Sequence, residues 1–187
     1  MAQHTARERR ILDAAALAFH EKGFHGIGVD EIGRRAGLSG PALYRYFGGK
    51  DELLATLLDE AMDELLGATE PVLDDPTADL WRALRHHVAF AVEHRQLVSL
   101  YHRESRFLID PWATAFARRE GRYVRSWETL VGGAFPATTP DDLAATTQAV
   151  LGMVFSVSSW PQRALHAEAV EDLLLRLVAE GLHALGR

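Results

Sequence analysis

The 187-residue chain contains no cysteine. That absence excludes a disulfide framework, thiolate zinc sites, iron–sulfur clusters and a cysteine nucleophile. It is compatible with a reducing cytosol, and the length is enough to bury a core without covalent staples. Long apolar runs are also missing. None approaches the roughly 20 residues needed to span a bilayer, and the polar stretch Met1 to Arg10 lacks a signal-peptide core. The expectation is a cytoplasmic protein with no membrane partner. Sustained apolar–polar alternation is absent too, which argues against strands. Basic residues are missing from residues 51–79, where ten acids stand without a counter-charge.

What is present divides unevenly. Residues 1–50 hold eight basic and five acidic side chains, a net +3, and residues 51–187 carry −9. The overall charge of −6 therefore does not exclude a nucleic-acid partner, because charge acts locally. The division predicts a weakly basic module over residues 1–50 and an acidic body over residues 51–187.

Both parts read as helix. Ile11, Leu12, Ala15 and Phe19 share one helical face before a stop at Gly23. Val29, Ile32 and Ala36 mark a second helix ending at Gly37. Leu43 and Phe47 mark a third, stopped by Gly48-Gly49, and Leu53, Leu54, Leu57, Leu58, Ala61 and Leu65 mark a longer fourth. Downstream, Asp79 is expected to cap a helix from Leu80 to about Glu93. Segments from Leu97 to Ile109 and from Asp110-Pro111 follow. Thr139-Pro140-Asp141-Asp142 then combines a capping hydroxyl, Pro at the first position and acids at the positive dipole end. A last helix carries Val170, Leu173, Leu174, Leu177, Val178, Leu182 and Leu185. The expected fold is all-α, with about nine helices.

Val29 to Lys50 carries the chemistry. Two short amphipathic helices flank Ala36-Gly37-Leu38-Ser39, with Gly37 free to adopt a left-handed turn, Ser39 placed to cap and Pro41 tolerated in the first turn. This is the pattern of a helix-turn-helix, whose second helix enters the major groove. Gly40, Pro41 and Ala42 keep that end small, while Tyr44, Arg45 and Tyr46 project outward and Leu43 and Phe47 turn inward. Lys50 opens the next helix, where a cation is unhelpful unless a phosphate lies nearby.

Gly23-Phe24, Val29-Asp30-Glu31-Ile32, Ala36-Gly37-Leu38-Ser39, Leu43-Tyr44-Arg45-Tyr46-Phe47 and Lys50-Asp51-Glu52-Leu53-Leu54 together resemble the DNA-binding domain of the TetR family of bacterial transcriptional regulators. The resemblance spans about the first quarter of the chain. It implies that Ser39, Gly40, Pro41 and Ala42 face base edges, that Tyr44 and Tyr46 lie against the sugar-phosphate backbone, that Lys50 grips a phosphate, and that Arg45 reaches backbone or base. It further implies a helical body that dimerises and binds a small molecule. One departure is Ile27-Gly28, where the family often has hydroxyl residues. The hydroxyl contact to phosphate is lost there, so a contact at Gly28 comes from its backbone N–H or not at all.

The body is rich in aromatics, and core packing accounts for about half of them. Phe90, Tyr101, Phe107, Trp112, Phe116, Tyr123, Trp127, Phe155 and Trp160, with polar Glu104 and Arg106, are the candidates for an apolar ligand cavity. Leu100-Tyr101 to Arg106-Phe107-Leu108 resembles a segment of actinobacterial regulators of lipid or acyl-CoA breakdown, which suggests a hydrophobic effector with an anionic end. Ala144, Ala145, Ala149 and Gly152 permit close helix approach, which fits a monomer core or, as the resemblance implies, a two-fold four-helix interface.

An enzyme with an aromatic-lined site and a ligand-binding module without DNA are the rival readings. No nucleophile–base pair is legible and no His spacing fixes a metal, so neither catalysis, a metal nor a cofactor is expected. His86, His87, His94 and His102 read as surface or pocket-wall residues. The resulting expectation is a repressor released from a palindromic operator by a small hydrophobic molecule.

Overall fold

Helix α1 (Ala6–Lys22) begins where its sequence supplies both halves of a capping box. Thr5 Oγ1 accepts from the Glu8 N–H at 3.3 Å, and the Thr5 N–H donates to Glu8 Oε2 at 2.7 Å. The inward residues Ile11, Leu12, Ala15 and Phe19 are all fully buried. At Gly23 the backbone turns to φ +73, and its N–H returns to the Phe19 carbonyl. The computed structural model describes residues 4–165 and 169–186, and among these it contains ten α-helices, three short 3-10 turns and no strand.

Helices α2 (Val29–Arg35) and α3 (Gly40–Leu43) are joined through Gly37 at φ +74, with the Leu38 N–H closing on the Gly33 carbonyl at 2.8 Å. The third helix is shorter than its spacing predicts. Beyond Leu43 the chain continues as tight turns, with the Tyr46 N–H on the Leu43 carbonyl at 2.8 Å. Leu43 and Phe47 are nonetheless both buried, as expected. Ser39 occupies the capping position, but its side chain makes no cap hydrogen bond.

Helix α4 (Lys50–Ala68) follows, with the Glu52 carboxylate accepting from the Gly48 N–H ahead of it. Then come α5 (Pro76–Glu93), α6 (Arg95–Glu104) with a 3-10 turn at Ser105–Phe107, and α7 (Trp112–Ala134). The chain continues with α8 (Pro140–Phe155), α9 (Gln162–Leu165) and α10 (Val170–His183). The start expected at Thr139 is present, its Oγ1 accepting from the Asp142 N–H at 3.2 Å.

The start expected at Asp79 is not. Asp75 caps α5 by accepting from the Thr77 and Ala78 N–H groups, with Pro76 at the first helical position. Asp79 lies one turn inside and is buried. It accepts from the Val72 N–H at 3.0 Å, the Leu73 N–H at 3.1 Å and Arg82 at 3.4 Å. The Val72 N–H, then Leu73 and Arg82, hold its carboxyl below the usual range. A carboxylate bonded in this way closes the preceding loop rather than capping the helix.

The described residues fall into two compact units. One takes the chain up to Asp63 together with Gln96–Arg119, and the other takes Glu64–Arg95 and the residues from Glu120 onward. Helices α4 and α7 contribute residues to both. In the second unit α5, α8 and α10 pack on one another. No helix among the described residues is long and apolar enough to cross a membrane.

Candidate nucleic-acid interface

Helices α2 and α3 meet through glycine. A Cβ on Gly33 would stand 3.4 Å from the Ser39 carbonyl, so the helices approach almost backbone to backbone. At Gly40 the space for a side chain is occupied, because a Cβ there would fall 1.7 Å from Asp30 Oδ1. Gly40 therefore does more than keep the helix end small. It admits the Asp30 carboxylate beside the residues expected to face bases. At Gly28, the N-cap of α2, nothing lies within 4 Å of a would-be Cβ, and Gly28 supplies only backbone.

Ser39, Pro41, Tyr44 and Arg45 are exposed, and Gly40, Ala42, Tyr46 and Lys50 are half-buried. Tyr44 leaves 56% of its surface in solvent, open to contact by a partner. The Tyr46 hydroxyl accepts from Arg7 at 3.4 Å. Lys50 donates to the Phe24 carbonyl at 3.1 Å and lies 4.5 Å from the centre of the Phe24 ring. Three of the other bases in residues 1–50 are engaged in ion pairs. Lys22 pairs with Glu31 at 2.7 Å, Arg35 with Glu21 and Glu31, and Arg9 with Asp13 and Glu60. These pairs neutralise part of the basic excess and leave Tyr44, Arg45 and Lys50 on the candidate surface.

The residues expected to line a ligand cavity are divided between the two units. In the first, Tyr101 lies 6.0 Å from Phe116, Trp112 is half-buried, and Glu104 is buried beside Gly23. The Arg106 guanidinium sits 4.9 Å over the Phe107 ring, and Phe107 itself packs on Phe24 and His25. In the second, Phe90 and Phe155 are buried, and the Trp160 indole N–H donates to Ser156 Oγ at 3.1 Å.

Also in the second unit, Trp127 is fully buried and Tyr123 stacks on His87 at 5.6 Å. His87 is a core residue, not a surface or pocket-wall one. Its Nε2 accepts from the Trp127 indole N–H at 3.3 Å, so its Nδ1 carries the proton donated to the Ala83 carbonyl at 2.7 Å. Burial pushes its pKa down to about 3.

Two further features escaped the sequence reading. Arg119 pairs with Asp59 and Asp63, four residues apart on one face of α4. Burial pushes the Asp59 carboxyl up, against the pull of Arg119. The acid-rich run shows the i, i+4 pair, but nothing local indicates a partner about 60 positions away. Asp30 beside Gly40 is likewise invisible to spacing. Among the described residues, no group of three or more His, Asp or Glu is placed to hold a metal ion.

Residues 11–57 match the model of bacterial regulatory proteins of the tetR family, and residues 73–182 match that of the tetracyclin repressor-like C-terminal domain. The transcriptional repressor KstR2 of Mycolicibacterium smegmatis is 26% identical over 189 residues, covering 96% of this chain and 92% of that protein. The transcriptional activator FasR of the same organism is 38% identical over 71 residues, which span 38% of this chain and only 32% of FasR. The crystal structure of AibR with isovaleryl coenzyme A and operator DNA superposes with a TM-score of 0.78 at 20% identity, over 93% of this chain and 97% of that one. With a helix-turn-helix module matched at one end and a family body model covering more than half of its length, this chain belongs to the TetR family of bacterial DNA-binding transcription regulators.

Proposed function

We propose that this regulator is a homodimeric repressor that leaves a palindromic operator when a small hydrophobic molecule binds its body. Residues 1–50 act as the DNA-binding module and residues 51–187 as the ligand-binding and dimerisation body. Ser39, Gly40, Pro41 and Ala42 meet base edges, the Gly28 backbone and Tyr44 and Tyr46 meet the sugar-phosphate backbone, and Lys50 meets a phosphate. Arg45 reaches either. The observation that carries the reading is the exposed Tyr44–Arg45 edge next to a lysine already held in place. Such contacts set the register on DNA, and base edges supply the sequence preference.

For the effector, the aromatic residues of the body and Arg106 favour an apolar molecule with an anionic end. The AibR complex with an acyl coenzyme A is in keeping with that class. The named relatives include both a repressor and an activator. Repression is favoured by the match to KstR2, which spans nearly the whole chain.

The test begins with selection of bound DNA from a random pool, followed by affinity measurement on the selected site. Tyr44→Ala and Lys50→Ala should each weaken binding about tenfold while the thermal midpoint holds. Unchanged affinity in both would remove the assignment. Affinity should fall steeply with salt, as expected when phosphates are gripped. A medium-chain acyl coenzyme A should release the DNA where free coenzyme A does not.

A further inference from the structure

Lys50 is held by a residue that belongs to neither the helix-turn-helix nor its own helix. Its ammonium donates to the Phe24 carbonyl at 3.1 Å and rests on the Phe24 ring. Phe24 is buried and follows Gly23 in its left-handed conformation. The Phe107 ring lies nearly parallel to Phe24, 12° apart at 6.1 Å, and meets the edge of His25 at 4.3 Å. Arg103 donates to the His20 carbonyl at 3.2 Å, and the buried Glu104 lies against Gly23. The turn between α1 and α2 is thus gripped on one side by Lys50 and on another by the end of α6 and its 3-10 turn, all within one compact unit.

From this geometry we infer that Phe107 is a positioning residue for the DNA contact of Lys50, acting through Phe24. The inference rests on the reading of Lys50 as a phosphate contact. An ammonium has three donors, and the Phe24 carbonyl takes one and orients the rest toward a phosphate. Removing the Phe107 ring lets Phe24 shift, and the carbonyl and the ring face that aim Lys50 shift with it. The turn after α6 thereby reaches the DNA surface through two rings and one lysine.

The test measures operator affinity across a salt series for wild type, Lys50→Ala, Phe107→Ala, Phe107→Tyr and the Lys50→Ala/Phe107→Ala double variant. Lys50→Ala should weaken binding about tenfold and make the salt slope shallower by about 0.9 per half-site. Phe107→Ala should weaken it about threefold to tenfold with a similar loss of slope, and Phe107→Tyr, which keeps the ring, should restore both. The double variant should bind within about twofold of Lys50→Ala, because one contact cannot be lost twice. If Phe107→Ala fails to fold in a thermal melt, Phe107→Leu keeps the apolar volume, removes the ring face and is judged on the same criteria. A full slope in the Phe107 variant, or multiplicative losses in the double, overturns the inference while leaving Lys50 on phosphate. An inert Lys50→Ala overturns the phosphate reading and the inference with it.

Discussion

His87 shows how much a single side chain can hide from its spacing. Both ring nitrogens are used, one to accept from Trp127 and one to donate to Ala83, and that pattern is possible only for the neutral ring. A second proton would remove the acceptor that Trp127 needs and place a charge in the core. Its pKa of about 3, set mainly by burial, expresses that cost. The direction for stability follows. An unfolded histidine takes up a proton near pH 6.5, whereas the folded one refuses it until about pH 3. Stability is therefore full above about pH 6.5 and is lost as pH falls, by about 1.4 kcal/mol per unit for this one group. In His87→Leu the indole N–H of Trp127 loses its partner, which should cost about 1–3 kcal/mol at pH 7. The acid limb between pH 6 and 4 should also be shallower than wild type by one proton. Urea denaturation at a series of pH values reads both, and equal acid slopes would show that His87 is not the buried neutral group described.

At the scale of elements, the helix-turn-helix is held together by what its glycines leave out. Gly33 lets α3 approach the backbone of α2, and Gly40 leaves room for the Asp30 carboxylate. Adding a methyl group at position 40 must displace that carboxylate, so the two positions cannot vary independently. The double-mutant cycle Gly40→Ala, Asp30→Ala should show a coupling of about 0.5–1 kcal/mol, with Gly40→Ala better tolerated once Asp30 is shortened. Chemical denaturation of the four proteins checks it, and additive effects would mean that Asp30 already stands clear.

This pair also marks the limit of the sequence reading. Periodicity identified the buried faces of α1 and α4, and local chemistry identified the start of α8, because Thr139, Pro140 and the following acids act within one turn of each other. It failed at α5, where Asp75 and Asp79 are both competent caps. The choice between them is made by backbone N–H groups at Val72 and Leu73 that lie outside the helix. It overran at α3, where the inward pull on Leu43 and Phe47 is met by a tightened turn rather than a continued helix. The candidate DNA surface was legible because its residues are contiguous. The Phe24–Phe107 stack, the Arg119 pairs and the Trp127–His87 bond were not, because each joins positions at least 40 apart.

At the scale of the whole molecule, the acid-rich run over residues 51–79 is largely absorbed into local partnerships. Glu52 takes the Gly48 N–H, Glu60 meets Arg9 and His4, Asp59 and Asp63 hold Arg119, Glu64 meets His86, and Asp75 and Asp79 serve backbone N–H groups. Charge therefore does not mark a surface for a second copy, and the proposed dimer would use the apolar faces of α8 and α10 instead. These helices pack on each other, and their outer sides keep Met153, Leu173 and Leu177 in solvent at 40%, 37% and 51% exposure. The small exposed residues Ala144, Ala145, Ala149 and Gly152 lie on the same outer side of α8. Small residues let a partner helix approach closely while the larger ones fill the seam, as in a four-helix arrangement about a two-fold axis. In a two-fold interface every residue acts twice, so Leu177→Glu would place two carboxylates on the seam without disturbing the monomer core, from which Leu177 already points away. The variant should sediment as a monomer at micromolar concentration, melt as a folded protein and lose most of its operator affinity, because half-sites one helical turn apart must be held together. A dimer that persists in Leu177→Glu would locate the interface elsewhere. A monomer that retains full affinity would sever dimerisation from DNA binding.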